Sequence, residues 1–357
     1  MDRPSVAPPG ARPRANLYGL EREELASVLS PFATRPYQAA QIYHWIYGRQ
    51  ETDPAAMTDL PASLRGALQE RFVVSWPSIK EARDSADGSR KYVLALRDGG
   101  EVEAVYILYG ERVTLCLSSQ IGCPLACRFC LTGTMGLVRN LTAGEILGQV
   151  AAVARDRRID PKSIRVVFMG MGEPLNNYDA VLHAFRVMVD PKGFGIAPRR
   201  VTLSTAGLVP GIERLARETP RPRLAISLVA GHDALRDDLM PINRKYDLTR
   251  LMETCRRFPL APREKVTFEY VLLEDVNDTP RDATRIARLL RGLRAKVNVI
   301  PYNEAGLGAF RTPAPERAAR FRDALLAHGV PATIRWSKGR DIGAACGQLV
   351  RPAAASA

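Results

Sequence analysis

The chain has 357 residues, 46% of them apolar, and a formal net charge of +13. That length admits one large domain or two ordinary ones with a sizeable core, and no apolar run is long enough to span a bilayer. The basic surplus, with a sequence pI of about 9.7, suits a polyanionic partner, because neutralising phosphates releases condensed counterions. It suits equally an Arg-rich protein that meets no nucleic acid.

Residues 1–15 are rich in Pro and Arg and lack an apolar core, so they read as a disordered tail and not as a secretory signal. Residues 16–75 read as a small helical domain. Segments 22–29 and 37–47 carry apolar residues at helical spacing, with Ile42, Trp45 and Ile46 on one face. Segment 60–68 starts a third helix with Pro61 at an early position. These helices, carrying Tyr and Arg, fit an RNA-binding module or a cap on the main domain. In residues 76–111, strand-like stretches 91–96 and 101–108 flank Asp98-Gly-Gly100, a turn signal, and predict a β-hairpin extension.

From Arg112 onward strands and helices alternate. Predicted strands cover 112–118, 164–169, 200–204, 223–228, 266–273, 296–300 and 332–336. Predicted helices cover 141–150, 179–189, 248–258, 281–293 and 315–328. Repeated βα units imply a parallel sheet with right-handed crossovers. Six units fall short of a closed eight-fold barrel. The predicted fold class for residues 112–350 is therefore α/β, a partial (β/α)6 barrel, and residues 351–357 read as a second loose tail.

Behind the first strand of that barrel stands Cys123-Pro-Leu-Ala-Cys127-Arg-Phe-Cys130, three cysteines in eight residues. The spacing lets three thiolates converge from one loop. Six cysteines in 357 residues, with no secretory signal, suit a reducing, cytoplasmic setting and not a disulfide framework. Zinc ordinarily takes four protein ligands, or three and a water, and His44, His183, His232 and His328 are scattered. Iron–sulfur clusters usually take four cysteines. Three would leave one iron open to bind a substrate or cofactor. Cys-x-x-x-Cys-x-x-Cys, with Phe129 before the last cysteine, resembles the signature of radical S-adenosylmethionine (SAM) enzymes.

In parallel α/β folds chemistry gathers at the C-terminal ends of the strands. The polar residues obey that rule. The three cysteines follow the first strand, Gly170-Met-Gly-Glu-Pro174 the second, and Asn303 the sixth. Ser204 ends the third strand and Ser227 the fourth. Each alone is an ordinary turn or cap; on one face together they make a site. Glycines allow backbone to approach a ligand, and Glu173 could accept hydrogen bonds from a cationic amine. Cys255, in a predicted helix, reads as a packing residue. Cys346 follows a Lys338-Gly-Arg340 segment beyond the last strand. Its Gly and Ala neighbours make it mobile enough to enter the mouth, and basic neighbours favour its thiolate.

Six stretches together carry a closer resemblance: Cys116-Leu-Ser-Ser-Gln-Ile-Gly-Cys123, Arg139-Asn-Leu-Thr142, Met169-Gly-Met-Gly-Glu-Pro174, Pro241-Ile-Asn-Arg-Lys-Tyr246, Ile300-Pro-Tyr-Asn303 and Ala345-Cys-Gly-Gln-Leu349. The chain thereby resembles the RlmN/Cfr family of radical-SAM RNA adenine C-methyltransferases, more on the RlmN side. The resemblance implies one [4Fe-4S] cluster on Cys123, Cys127 and Cys130 with an open iron, and two SAM molecules per turnover. One SAM methylates Cys346. The other is cleaved to a 5′-deoxyadenosyl radical that takes a hydrogen from that methyl group, and the resulting carbon radical adds to adenine. Cys116 would remove the ring proton and resolve the adduct through a disulfide with Cys346. Glu103 corresponds by distance to an acidic proton acceptor; a solvated strand-face carboxylate is its plainer reading. Gly172, Glu173, Ser204, Ser227, Leu228, Val229 and Asn303 correspond to SAM contacts. Val229 stands where the family usually has histidine, which leaves backbone contacts and removes a side-chain role.

The implied partners are 23S rRNA at the peptidyl-transferase centre, tRNA next to the anticodon, and an electron donor such as flavodoxin or ferredoxin, with the enzyme a cytoplasmic monomer. Phosphate-contact candidates are Arg139, Arg199, Arg200, Arg244 and Lys245. The target adenine must be unstacked to enter the mouth. The leading expectation is methylation at adenine C2. The Thr134-Met-Gly-Leu137 stretch resembles the Cfr side and leaves C8 open. An RNA-binding protein without catalysis is opposed by the complete set of cysteines. A radical-SAM enzyme acting on protein or small molecules is opposed by the charge and the Ala-Cys-Gly-Gln ending.

Overall fold

Strand β1 (Ala15–Asn16) pairs in parallel with β2 (Phe72–Val73), and between them lie α1 (Arg22–Leu29), α2 (Pro36–Tyr43) and α3 (Ala62–Arg71). The structure, a computed structural model, describes residues 14–32, 35–304, 306–308 and 310–350. Helix α2 runs on into a wider turn, His44–Gly48, that buries Trp45, Ile46 and Tyr47. These helices sit against the rest of the chain. Tyr47 meets Phe194 edge-on with ring centroids 6.1 Å apart, and Arg22 pairs with Asp190 at 3.0 Å. The tails predicted at 1–15 and 351–357 fall largely outside the described residues, and Ala15 already pairs with Phe72.

Strands β3 (Ser78–Asp84), β4 (Arg90–Ala95) and β5 (Glu101–Tyr109) form an antiparallel meander that joins β6 (Arg112–Cys116). The hairpin expected at 91–108 is thus the inner part of a three-stranded edge. Its outer strand, β3, is mostly solvent-facing and has no apolar alternation to announce it.

After β6 comes a second hairpin, β7 (Gln120–Cys123) and β8 (Gly136–Asn140), closed around α4 (Leu131–Thr134). Helix α5 (Ala143–Arg157) then leads to β9 (Arg165–Phe168). The alternation continues through α6 (Tyr178–Val189), β10 (Val201–Thr205), α7 (Val209–Leu215), β11 (Arg223–Ser227), α8 (Asp233–Leu239) and α9 (Leu248–Arg257). It ends with β12 (Val266–Leu272), α10 (Pro280–Leu289), β13 (Ala295–Pro301), α11 (Pro315–Ala327) and β14 (Ala332–Ile334). One ten-stranded sheet runs β14-β13-β12-β11-β10-β9-β6-β5-β4-β3, with seven parallel strands from β14 to β6. Six crossovers join them, and the two edges, β14 and β3, do not meet. This is the open α/β barrel expected from the sequence. No described helix is long and apolar enough to cross a membrane.

Covered on both faces, the central strands are apolar almost throughout: Leu224, Ala225 and Ile226 in β11 and Val266, Phe268 and Tyr270 in β12 are all buried. The first barrel strand ends at Cys116, short of the predicted 118. The cause lies in Gln149 of α5, whose side chain takes both the N–H and the C=O of Ser118, so that residue's backbone leaves the ladder. Helix α5 starts in a capping box, Thr142 accepting from Glu145 N–H while Glu145 accepts from Thr142 N–H. Thr142→Ala is expected to lower unfolding free energy by about 1 kcal/mol, measured as a reduced midpoint in urea at unchanged slope.

Candidate active site

The cysteine loop is shaped by backbone constraints. Gly122 has φ +75, and a Cβ there would meet the Gly136 carbonyl oxygen at 1.9 Å, so the β7–β8 hairpin admits only glycine. Beyond it, Cys130 N–H donates to Cys127 C=O at 3.1 Å and Gly133 N–H to Cys130 C=O at 3.0 Å. The loop folds on itself, and Cys123, Cys127 and Cys130 all line one cavity at the strand ends, together with Gly172, Glu173, Ser204, Ser227 and Asn303. Burial pushes the Cys123 thiol up to about 12 and raises Cys127 and Cys130 as well; Cys130 adds to the rise at Cys123, Cys130 and Cys123 to that at Cys127, and Cys346 to that at Cys130. A cationic metal group would reverse that balance by stabilising the thiolates. Among the described residues no three His, Cys, Asp or Glu side chains converge tightly enough for a single ion. Three half-buried cysteines on one wall suit a larger cluster of iron and sulfide better than a single ion.

The glycines after β9 answer first to the protein. A Cβ on Gly170 would meet Leu117 C=O at 2.7 Å, and one on Gly172, at φ +101, would meet the Gln120 side chain at 2.6 Å. They let this loop pass beneath β7, a different reason from ligand approach. Gln120 then accepts from Glu173 N–H at 2.8 Å. Both oxygens of Glu173 receive backbone N–H groups, from Leu175 at 3.0 Å and Ala206 at 2.8 Å, yet burial raises its carboxyl to about 7.

Leu228 and Val229 are fully buried beside the cavity and do not line it. Val229 has φ +61. The turn is held by Arg236, which the sequence reading missed. Its fully buried guanidinium donates to Leu228 C=O at 3.1 Å, Ser227 C=O at 3.1 Å, Ala206 C=O at 2.7 Å and Asn243 Oδ1 at 2.8 Å. Burial lowers that guanidinium to about 10. An arginine on a short helix looks like a surface charge, and nothing in its spacing says otherwise.

The C-terminal segment lies across the mouth. Leu131 N–H donates to Gly347 C=O at 2.8 Å, Thr132 Oγ1 to Leu349 C=O at 2.6 Å, and Asn303 Nδ2 to Cys346 C=O at 3.2 Å. Cys346 therefore lines the same cavity as the three cysteines, and with Cys116, Met169 and Arg335 it lines an adjoining recess. Burial and the neighbouring Cys346 push the Cys116 thiol up to about 12, against the opposing charge of Arg335. All six cysteines are free thiols. Glu103, 1% exposed, sits under this segment: Val350 N–H donates to its Oε2 at 3.1 Å and Lys91 Nζ stands 3.2 Å from its Oε1. Lys91 also donates to Gly343 C=O at 3.2 Å, and Asp341 receives Ser85 Oγ at 2.6 Å.

Of the basic candidates, Arg244 and Lys245 are exposed and follow Met240, which lines the cavity. Arg139 is engaged by Asp98 and Glu145. Arg199 and Arg200 precede β10 and so lie at the opposite end of the barrel from the cavity.

An open (β/α) barrel that gathers a Cys-x-x-x-Cys-x-x-Cys loop at its strand ends defines a radical-SAM enzyme. The family model for the radical SAM superfamily matches residues 117–286, and that for the ribosomal RNA large subunit methyltransferase N-terminal domain matches residues 15–74. A dual-specificity RNA methyltransferase RlmN of Syntrophotalea carbinolica is 46% identical over 94% of this chain and 90% of that protein. Its namesake in Geobacter sulfurreducens is 48% identical over 94% and 91%. The crystal structure of a radical SAM methyltransferase from Sphaerobacter thermophilus superposes with a TM-score of 0.88 at 44% identity, covering 94% of this chain and 99% of that one. The chain belongs to the RlmN family of radical-SAM RNA methyltransferases.

Lys91→Met removes the cation from beside a buried carboxylate and is expected to cost about 3 kcal/mol. It should also speed iodoacetamide alkylation of Cys346 several-fold, read by peptide mass mapping. Adding Glu103→Gln should restore most of the stability and leave Cys346 over-reactive.

Proposed function

We propose that this enzyme methylates C2 of an adenine in 23S rRNA, at the peptidyl-transferase centre, and of an adenine beside the anticodon in tRNA, through a methylated Cys346 resolved by Cys116. The observation that supports this most is the convergence of Cys346 with Cys123, Cys127 and Cys130 on one cavity, and with Cys116 in the recess beside it. The name dual-specificity RNA methyltransferase on relatives 46% and 48% identical supports the substrate class.

Cys123, Cys127 and Cys130 would hold a [4Fe-4S] cluster, and Gly172, Glu173, Ser204, Ser227 and Asn303 would hold SAM. The cluster, when bound, supplies the electron for cleaving SAM to a radical. The remaining work falls to the chain itself. Adenine C2 is electron-poor and cannot displace a methyl group from a sulfonium, whereas a thiolate can. Cys346 therefore takes the methyl group first and becomes a thioether. Loss of one hydrogen from that methyl leaves a carbon radical on Cys346, which adds to C2 where an ordinary nucleophilic attack by the ring fails. Cys116 then removes the C2 proton, and the adduct would pass its unpaired electron back along the electron-transfer route, which restores the ring. The Cys116 sulfur attacks that of Cys346, the carbon–sulfur bond breaks toward carbon, and that carbon takes a proton to become the methyl group of the released RNA. The transient disulfide left behind is returned to two thiols by two electrons from an external reductant. Arg335, whose guanidinium faces both sulfurs and is held protonated chiefly by Cys346, keeps positive charge where thiolates must form. An external electron carrier such as flavodoxin or ferredoxin, a cytoplasmic setting and a monomer belong to the same reading.

Anaerobically reconstituted enzyme, incubated with SAM, a reductant and either RNA, should yield 2-methyladenosine when the digested RNA is measured against standards of both isomers. Exclusive 8-methyladenosine would overturn the assigned carbon. Cys346→Ala should give no product, and Cys116→Ala should accumulate a covalent protein–RNA adduct; free turnover by either variant would remove that residue from the scheme.

A further inference from the structure

On the inner face of the barrel four strands present polar side chains at one level. Ser227 of β11 is paired with Glu269 of β12, Glu269 with Asn298 of β13, and Asn298 with Thr333 of β14. Asn298 Nδ2 donates to Glu269 Oε1 at 3.0 Å, and Thr333 Oγ1 donates to Asn298 Oδ1 at 3.0 Å. This ladder leaves one atom over. Glu269 Oε2 is buried and has no hydrogen-bond partner among the described residues, although the residue, 5% exposed, lines the cavity that holds Cys346 and the three cluster cysteines. Glu173, the other carboxylate on this wall, has both oxygens engaged by backbone N–H groups.

A buried carboxylate oxygen without a donor is costly, and its retention calls for a partner that arrives from outside the fold. Two residues nearer the mouth, on the same face, Val271 and Ile300 line the cavity and offer a flat apolar wall above the carboxylate. Polar acceptor below and apolar wall above match a purine nucleoside, whose ring needs apolar contact and whose hydroxyl and amino groups need acceptors. Burial raises the Glu269 carboxyl, and Arg335, the Asn298 hydrogen bond and Lys296 oppose that rise without cancelling it.

We infer that Glu269 is a ligand-binding residue whose Oε2 accepts a hydrogen bond from an adenosine held in the cavity. This rests on the reading of the cavity given above, in which two adenosines enter: that of SAM and that of the target nucleotide. The chemistry is shared, and affinity separates the sources.

The test uses reconstituted holoenzyme and Glu269→Gln, with iron content and Tm as controls. A SAM Kd, from equilibrium dialysis, weakened roughly ten- to hundred-fold would assign the contact to SAM. An unchanged SAM Kd with a similarly raised KM for RNA would assign it to the target nucleotide. Unchanged values for both would overturn the inference. Asn298→Ala removes the ladder bond and keeps Oε2, so it should lower Tm without the binding loss; equal losses in both variants would reassign Glu269 to a structural role and overturn it too. If Glu269→Gln does not fold, Glu269→Asp, which keeps the charge and withdraws it, is read by the same two constants. Wild-type holoenzyme that binds neither SAM nor RNA would instead overturn the reading of the cavity.

Discussion

Residues 346–350 are held by their backbone. The carbonyls of Cys346, Gly347 and Leu349 accept from Asn303, Leu131 and Thr132, and the N–H of Val350 donates to Glu103. These partners lie on three different parts of the fold: the end of β13, the helix inside the cysteine hairpin, and the antiparallel edge of the sheet. Because the bonds are made to backbone, the Cys346 side chain is left unconstrained by them and faces the cavity. Every chemical step assigned to Cys346 depends on this seating. In the scheme proposed for it, the thiol meets first a methyl donor and then a nucleobase, which requires its main chain to stay beside the cysteine loop.

The antiparallel edge acquires a purpose from the same bonds. A barrel of seven parallel strands needs no meander to cover β6, since a single edge strand would do. The meander supplies Ser85, Asp87 and Lys91, which take Asp341 Oδ1, Gly339 N–H and Gly343 C=O, and it supplies Glu103 beneath Val350. Ala344 and Leu349 pack against Val105 and Ile107 of the same strands. Fastening at both ends restricts Cys346 to a short arc. It also explains a buried Lys–Glu pair, whose desolvation is hard to justify by stability alone. With Oε1 at Lys91 and Oε2 at Val350, Glu103 is placed as an anchor. Any proton it accepted would have to compete with those two bonds.

Much of this was legible in the sequence. The barrel strands show as apolar runs because they are buried on both faces, and the helices between them show a 3.6-residue period. Alignment of Cys123, Gly172, Ser204, Ser227 and Asn303 followed from one rule about strand ends. What stayed hidden shares a cause: it depends on backbone geometry or on contacts distant in sequence. The β7–β8 hairpin is too short and polar for a periodic signal. Arg236 is an ordinary arginine until three carbonyls are seen to converge on it. Gly170 and Gly172 line the cavity, as the strand-end rule led one to expect, but the need for glycine at both comes from the crossing of two protein segments, which the sequence does not show. Arg199 and Arg200 looked like residues near a strand end, and they are near the wrong end.

Val229 shows how the same scaffold absorbs change. Its φ of +61 is strained for a β-branched residue, at a cost on the order of 1–3 kcal/mol. The strain is held from both sides. Arg236 takes the carbonyl before it, Asn277 Nδ2 donates to the carbonyl of Val229 itself at 2.8 Å, and the valine side chain packs with Ala206, Leu239, Met240, Leu273 and Tyr302. The turn after β11 is therefore set by groups other than the side chain at 229. Valine at this position adds apolar packing and leaves Ser227 and its carbonyl where Arg236 holds them. A turn built on fixed carbonyls and amides tolerates exchange of the side chain at 229, whereas Arg236 has no comparable substitute, because no other side chain reaches three carbonyls with one planar group.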